Sequence, residues 1–162
     1  MPKKEKTRLA IIDGHALMYQ AYHAIPPLRT SKEELVNAVY GFATILFRVL
    51  KDVKPKYLAV AFDVDGGTFR DAISKDYKAT RQKMPDDLAT QIPRVRELVQ
   101  ALNIPILEKK GFEADDIIGT IAKRHLVDET VIVTADMDAF QLIDSKITIF
   151  KSRGKPTESS IM

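Results

Sequence analysis

The chain has 162 residues, 45% of them hydrophobic, with no cysteine, a net charge of +3 at pH 7 and a pI near 9.0. Length and apolar share suit one compact domain spanning residues 1–162, and the lack of cysteine excludes a disulfide framework, a thiolate metal site and a thiol nucleophile. No apolar run approaches the roughly 20 residues of a membrane-spanning helix, and the charged start MPKKEKTR leads into no signal-peptide core, so the expected location is the cytosol with no membrane partner.

In chain order, the first apolar run, residues 9–12, reads as a buried strand. Residues 31–52 then place Leu35, Val39, Phe42, Ile45, Leu46 and Val49 on one helical face, with Ser31 and Glu34 spaced as a capping box. A second strand covers 57–62. Residues 66–85 break the pattern: they are polar and basic, with Arg70, Lys75, Lys78, Arg81 and Lys83, and read as a projecting loop or helix. A helix over 86–102 carries Pro93, which predicts a kink or break there. A third strand at 104–107 is followed by a helix over 113–125 with Ile117, Ile118, Ile121 and Ala122 inward. A fourth strand at 131–134, a short helix at 138–143 and an alternating edge strand at 147–150 complete the pattern. Tyr19, Phe42, Phe47 and Phe140 are expected in the core, and the three histidines show no metal-ligand spacing. Continuous apolar strands alternating with helices predict an α/β fold: a doubly wound, mainly parallel sheet with helices on both faces.

Ligands of such sheets bind beyond the carboxyl ends of the strands, and those ends are acidic. LAIIDG ends in Asp13 and LAVAFD in Asp63; FEADD brings Glu113, Asp115 and Asp116 to a helix start; VTADMD adds Asp136 and Asp138. Aspartate is also a common helix cap, so each position alone is ambiguous. Together they are costly: two carboxylates about 6 Å apart repel by roughly 3 kcal/mol at an effective dielectric near 20. A set of oxygen ligands without His or Cys suits Mg²⁺, with Mn²⁺ as substitute. Setting these seven aside leaves 15 of the 22 acidic residues against 25 basic ones. A negative pocket beside a positive segment suits a polyanion such as nucleic acid. The DVDGGT stretch also invites a phosphatase reading with Asp63 as nucleophile. Against it stand an intervening glycine, the position far from the chain start and the absence of a clear partner lysine. Asp63 is therefore taken as a metal ligand and Asp65 as a turn residue.

The stretches LAIIDGHALMYQAYHAIPPL, AVYGF, VAFDVDGGTFRD, DYKATRQKMPDDL, GFEADDIIGTIA and VTADMDAFQLI together resemble the 5′→3′ exonuclease domain of bacterial DNA polymerase I, in the flap endonuclease superfamily. The resemblance implies a PIN-like or resolvase-like fold and a 5′-3′ exonuclease or structure-specific flap endonuclease acting in replication and repair. Its substrates would be DNA with 5′ flaps, nicks or RNA-primer ends. It implies two or more divalent ions held by Asp13, Asp63, Glu113, Asp115, Asp116, Asp136 and Asp138. Asp115, Asp116, Asp136 and Asp138 are expected to hold metal directly, and Asp13 and Asp63 through water. Arg70, Lys78 and Arg81 would face the scissile phosphate, Tyr77 would stack on a terminal base, and Lys83 would add to the DNA contact. The chain departs from the pattern at Gln20 and Met137, where arginine and lysine are common. The family's later aspartates and helical duplex-binding part are missing, so the chain is expected to be the N-terminal part of a longer polymerase. The alternative is a DNA- or metal-binding fragment without activity by itself.

Overall fold

The structure is a computed structural model that describes residues 6–64, 83–153 and 158–161. The expected projecting segment, and with it Asp65, Arg70, Tyr77, Lys78 and Arg81, lies outside the described residues except at its 83–85 end.

The elements run β1 (Arg8–Asp13), α1 (Gly14–Ala24), α2 (Asn37–Asp52), β2 (Tyr57–Ala61), α3 (Asp86–Ala89), α4 (Ile92–Ala101) and β3 (Ile106–Leu107). They continue with α5 (Ala114–Ala122), β4 (Glu129–Val133), a 3-10 helix (Met137–Leu142), β5 (Ile147–Arg153) and β6 (Glu158–Ile161). The sheet order is β3-β2-β1-β4-β5-β6, with every pair parallel except β5–β6. The chain winds outward from β1 in both directions, so the order reverses between β1 and β4. That gap is where an open α/β sheet leaves a crevice.

Alternation along β1 splits the core. Ala10 and Ile12 face the layer of α1, α2 and α4, where Leu17, Met18, Phe42, Ile45, Leu46, Val49, Val95 and Val99 are buried. Ile11 faces the other layer with Ile132, Ile147 and Ile149, under Ala114, Ile118 and Ala122 of α5. Helices on both faces leave β1 covered on each side, which is why its run is apolar without a polar phase.

Two local expectations change and two hold in part. The helix predicted from residue 31 starts at Asn37, and Ser31 caps nothing. Instead the Thr30 hydroxyl accepts from the Lys32 and Glu34 amides in a turn, and Glu33 takes a positive φ of 61°. Residues 86–102 form two helices broken at Thr90–Gln91, with Pro93 in the first turn of the second, where a missing N–H costs nothing. Among the described residues β6 pairs outside β5 only from Phe150 to Arg153, so residues 147–149 keep the expected edge position and the strand is covered beyond them. Tyr19 and Phe47 are 44% and 54% exposed, whereas Phe42 is buried as expected. Among the described residues no helix is long and apolar enough to cross a membrane.

Candidate active site

β1 delivers Asp13 to the rim and then turns into α1, so the same carboxylate caps that helix: its Oδ1 accepts the Ala16 N–H at 3.1 Å. Its Oδ2 accepts from the Thr134 hydroxyl at 3.0 Å. Gly14 leaves room for the Phe62 ring, since a Cβ at this position would stand 2.4 Å from it. Thr134 follows β4 directly, and its Oγ1 also accepts the Asp136 N–H at 3.0 Å. Asp136 in turn accepts the Asp138 N–H at 2.9 Å, capping the 3-10 helix that carries Asp138. On the third side, Asp116 accepts the Glu113 N–H at 3.0 Å at the start of α5.

Asp13, Asp115, Asp116 and Asp138 line one open cavity of about 170 Å³ together with Thr134 and Gln141. Ile118, Ile132 and Leu142 contribute the apolar part of its wall. The cavity sits at the switch between β1 and β4. Asp13 is 6% exposed, and burial is the main cause that pushes its carboxyl up to about 6. The charges of Asp115 and Asp63 push the same way, against the lowering by the Ala16 amide and the Thr134 hydroxyl.

The other three acids stand around this cavity. Asp63 follows β2, and its Oδ1 accepts the Ala114 N–H at 2.7 Å, tying the end of β2 to the first turn of α5. Glu113 is 7% exposed and precedes α5. Asp136 shapes the turn after β4. Among the described residues no three His, Cys, Asp or Glu side chains are placed so that together they could hold a metal ion. The acids form an open rim of oxygen donors. Lys83 lies well away in role: it is exposed and pairs with Asp86 at 3.0 Å.

Two residues of this site escape a reading by pattern. Thr134 meets Asp13 because Ile12 pairs with Val133 across β1 and β4. The His15 Nδ1 accepts the Asp63 N–H at 3.2 Å, and its ring stands edge-on to Phe62. The same Nδ1 lies 3.6 Å from the Asp63 carboxylate. The available signal was position: His15 lies in the first turn after the rim aspartate.

An open, doubly wound sheet with acids gathered at its carboxyl edge places the protein among resolvase-like α/β domains. The sequence profile of the 5′-3′ exonuclease N-terminal resolvase-like domain matches residues 8–162, and the chain belongs to that family. It is 43% identical over 144 residues to DNA polymerase I of Caldicellulosiruptor bescii, covering 88% of this chain and 17% of that one. It is 44% identical over 151 residues to DNA polymerase I of Bacillus subtilis, covering 92% and 17%. Against a 5′-3′ exonuclease of Aquifex aeolicus it is 40% identical over 143 residues, covering 87% and 50%. The chain thus spans less than a fifth of the polymerase relatives and half of the exonuclease. A solved T5 5′-exonuclease with bound zinc ions shares the fold at a TM-score of 0.73 and 20% identity, over 94% of this chain and 57% of that one. The catalytic core of Rad2 in complex with a DNA substrate gives 0.54 at 20% identity, over 97% and 47%.

Proposed function

We propose that the chain is the catalytic part of a metal-dependent 5′-nuclease. It hydrolyses phosphodiester bonds in DNA with 5′ flaps, nicks or RNA-primer ends, within a longer polymerase I-type protein. The observation that carries this is the meeting of Asp13, Asp115, Asp116 and Asp138 in one cavity at the sheet's switch point, in a family of nucleases. The donor set fits divalent ions. It is all oxygen, part of it is buried, and its innermost carboxyl is driven toward protonation without a cation. Mg²⁺ is the assigned ion, with Mn²⁺ as substitute.

Asp13, Asp115, Asp116 and Asp138 would hold the ions, with Asp63, Glu113 and Asp136 around them. Divalent ions held there would supply a water of lowered pKa and charge to offset that on the 3′ oxygen. The Asp63 bond to Ala114 keeps α5, and so Asp115 and Asp116, at a fixed height against β2. The Thr134 hydroxyl holds Asp13 and the Asp136 amide together. Arg70, Lys78 and Arg81 are assigned to the scissile phosphate, Tyr77 to base stacking and Lys83 to the flanking backbone.

The test is Asp116→Ala combined with Asp138→Ala in the full-length protein. Loss of Mg²⁺-dependent 5′-flap cleavage with an unchanged circular dichroism spectrum is expected, and undiminished turnover overturns the reading. The absence, among the described residues, of three acids placed to hold a metal ion together favours one second reading, a protein that binds Mn²⁺ and flap DNA without cutting. Calorimetric titration of the 162-residue chain, run beside a cleavage assay, separates the two.

A further inference from the structure

Lys151 lies on β5 one residue beyond Phe150, which pairs with Val133, so it stands level with Thr134 at the rim. Alternation turns it to the face of Ile147 and Ile149, the α5 side of the sheet. Its ammonium sits 3.1 Å from the Met137 Sδ and 5.7 Å from the centre of the Phe140 ring. Met137 is 59% exposed and directly precedes Asp138, whose side chain lines the cavity.

Some described cations pair with acids, as Lys123 does with Asp144, whereas Lys56 and Lys109, like Lys151, lie over aromatic rings. Lys151 has no carboxylate within 4.0 Å among the described residues, although Asp136 and Asp138 occupy the adjoining turn. A thioether is a weak acceptor, and an ammonium has three donors. One donor rests on sulfur, and the others remain for an anion. The cation therefore stands beside the acidic cavity without being neutralised by it.

We propose that Lys151 is a substrate-positioning residue that takes a backbone phosphate of the nucleic acid at the Asp138 side of the cavity. Met137 and the Phe140 face hold its side chain toward the rim. A lysine is suited to this as a compact point charge. This inference rests on the nuclease reading above.

The experiment uses the full-length protein and a labelled 5′-flap DNA. Lys151→Met keeps the apolar stem and removes the charge; Met137→Lys added to it moves a charge to the neighbouring side chain. Lys151→Met is expected to raise KM about fivefold with kcat within twofold, to leave Tm unchanged, and to lower the slope of log Kd against log salt by about one. Met137→Lys in that background should restore most of the KM and the slope. An unchanged KM and salt slope in Lys151→Met overturns the proposal and leaves Lys151 as cover for Phe140. A raised KM that the second lysine does not restore also overturns it. Failure of the nuclease reading looks different, because the unsubstituted protein would then not cut the flap, whether or not it binds it.

Discussion

Asp13 works at once as a helix cap and as a cavity wall, and its titration exposes the tension between the two. Its carboxyl is raised from 3.8 to about 6 by burial first, with help from Asp115 and Asp63. An acid raised in the folded state stabilises the fold below its unfolded pKa, and that contribution is lost as pH rises through the folded value. Above pH 6 the native state carries an ionised, buried carboxylate, at a cost of about 3 kcal/mol for a shift of this size. Asp13→Asn keeps an oxygen for Ala16 and removes the charge. In urea unfolding of the metal-free protein it should stabilise by up to about 3 kcal/mol at pH 8 and by nearly nothing at pH 4. Mg²⁺ should stabilise the unsubstituted protein at pH 8 and the Asn variant much less, as differential binding to the native state requires. The acids themselves were legible in the sequence, because a carboxylate after a continuous apolar run marks a strand end. His15 and Thr134 were not, because one reaches across to the neighbouring strand end and the other depends on strand register.

Among the helices, α2 shows why a boundary can escape a pattern that finds the interior. Its buried residues Phe42, Ile45, Leu46 and Val49 follow the expected spacing. Its cap, however, comes from a distant part of the chain. The buried Gln91, at the α3–α4 break, accepts the Ala38 N–H at 2.8 Å through Oε1. Its amide donates to Asn37 Oδ1 and to the Asp87 carbonyl, and Asn37 donates to the Tyr22 and Ile25 carbonyls. The network joins the end of α1, the start of α2 and the α3–α4 junction. No spacing rule within residues 31–52 could report it, so the local Ser31–Glu34 signal won on paper and lost in the fold. Gln91→Ala strands buried partners and should cost about 2–4 kcal/mol in chemical denaturation. Gly41→Ala tests the packing of the same pair, because its Cβ would stand 2.5 Å from the Cβ of Ala21 on α1. Overpacking of this kind costs about 1–3 kcal/mol, or several degrees of Tm in a domain this size.

Across the whole molecule, the winding of the sheet explains how acids far apart in sequence come to share a cavity. Two outward-winding halves begin at β1, and Asp13 and the turn after β4 flank the place where they part. The parallel α/β arrangement was readable from strand and helix alternation; the antiparallel β6 was not, since residues 158–161 carry no apolar run long enough to mark a strand. Charge separation at this scale has a measurable effect. Without divalent ions the acidic cavity repels phosphate, so Asp116→Ala with Asp138→Ala should bind flap DNA more tightly than the unsubstituted protein in EDTA. Fluorescence anisotropy should show that difference shrinking on addition of Mg²⁺. The small strand β6 has a consequence of its own. It occupies the outer hydrogen-bonding row of β5 from Phe150 to Arg153, a row that would otherwise offer unpaired amides and carbonyls to any passing chain. A shortened version ending at Arg153 would bare that template beside the buried Ile147 and Ile149. Light scattering should then register sticking between copies, because β6 is what covers this stretch of β5.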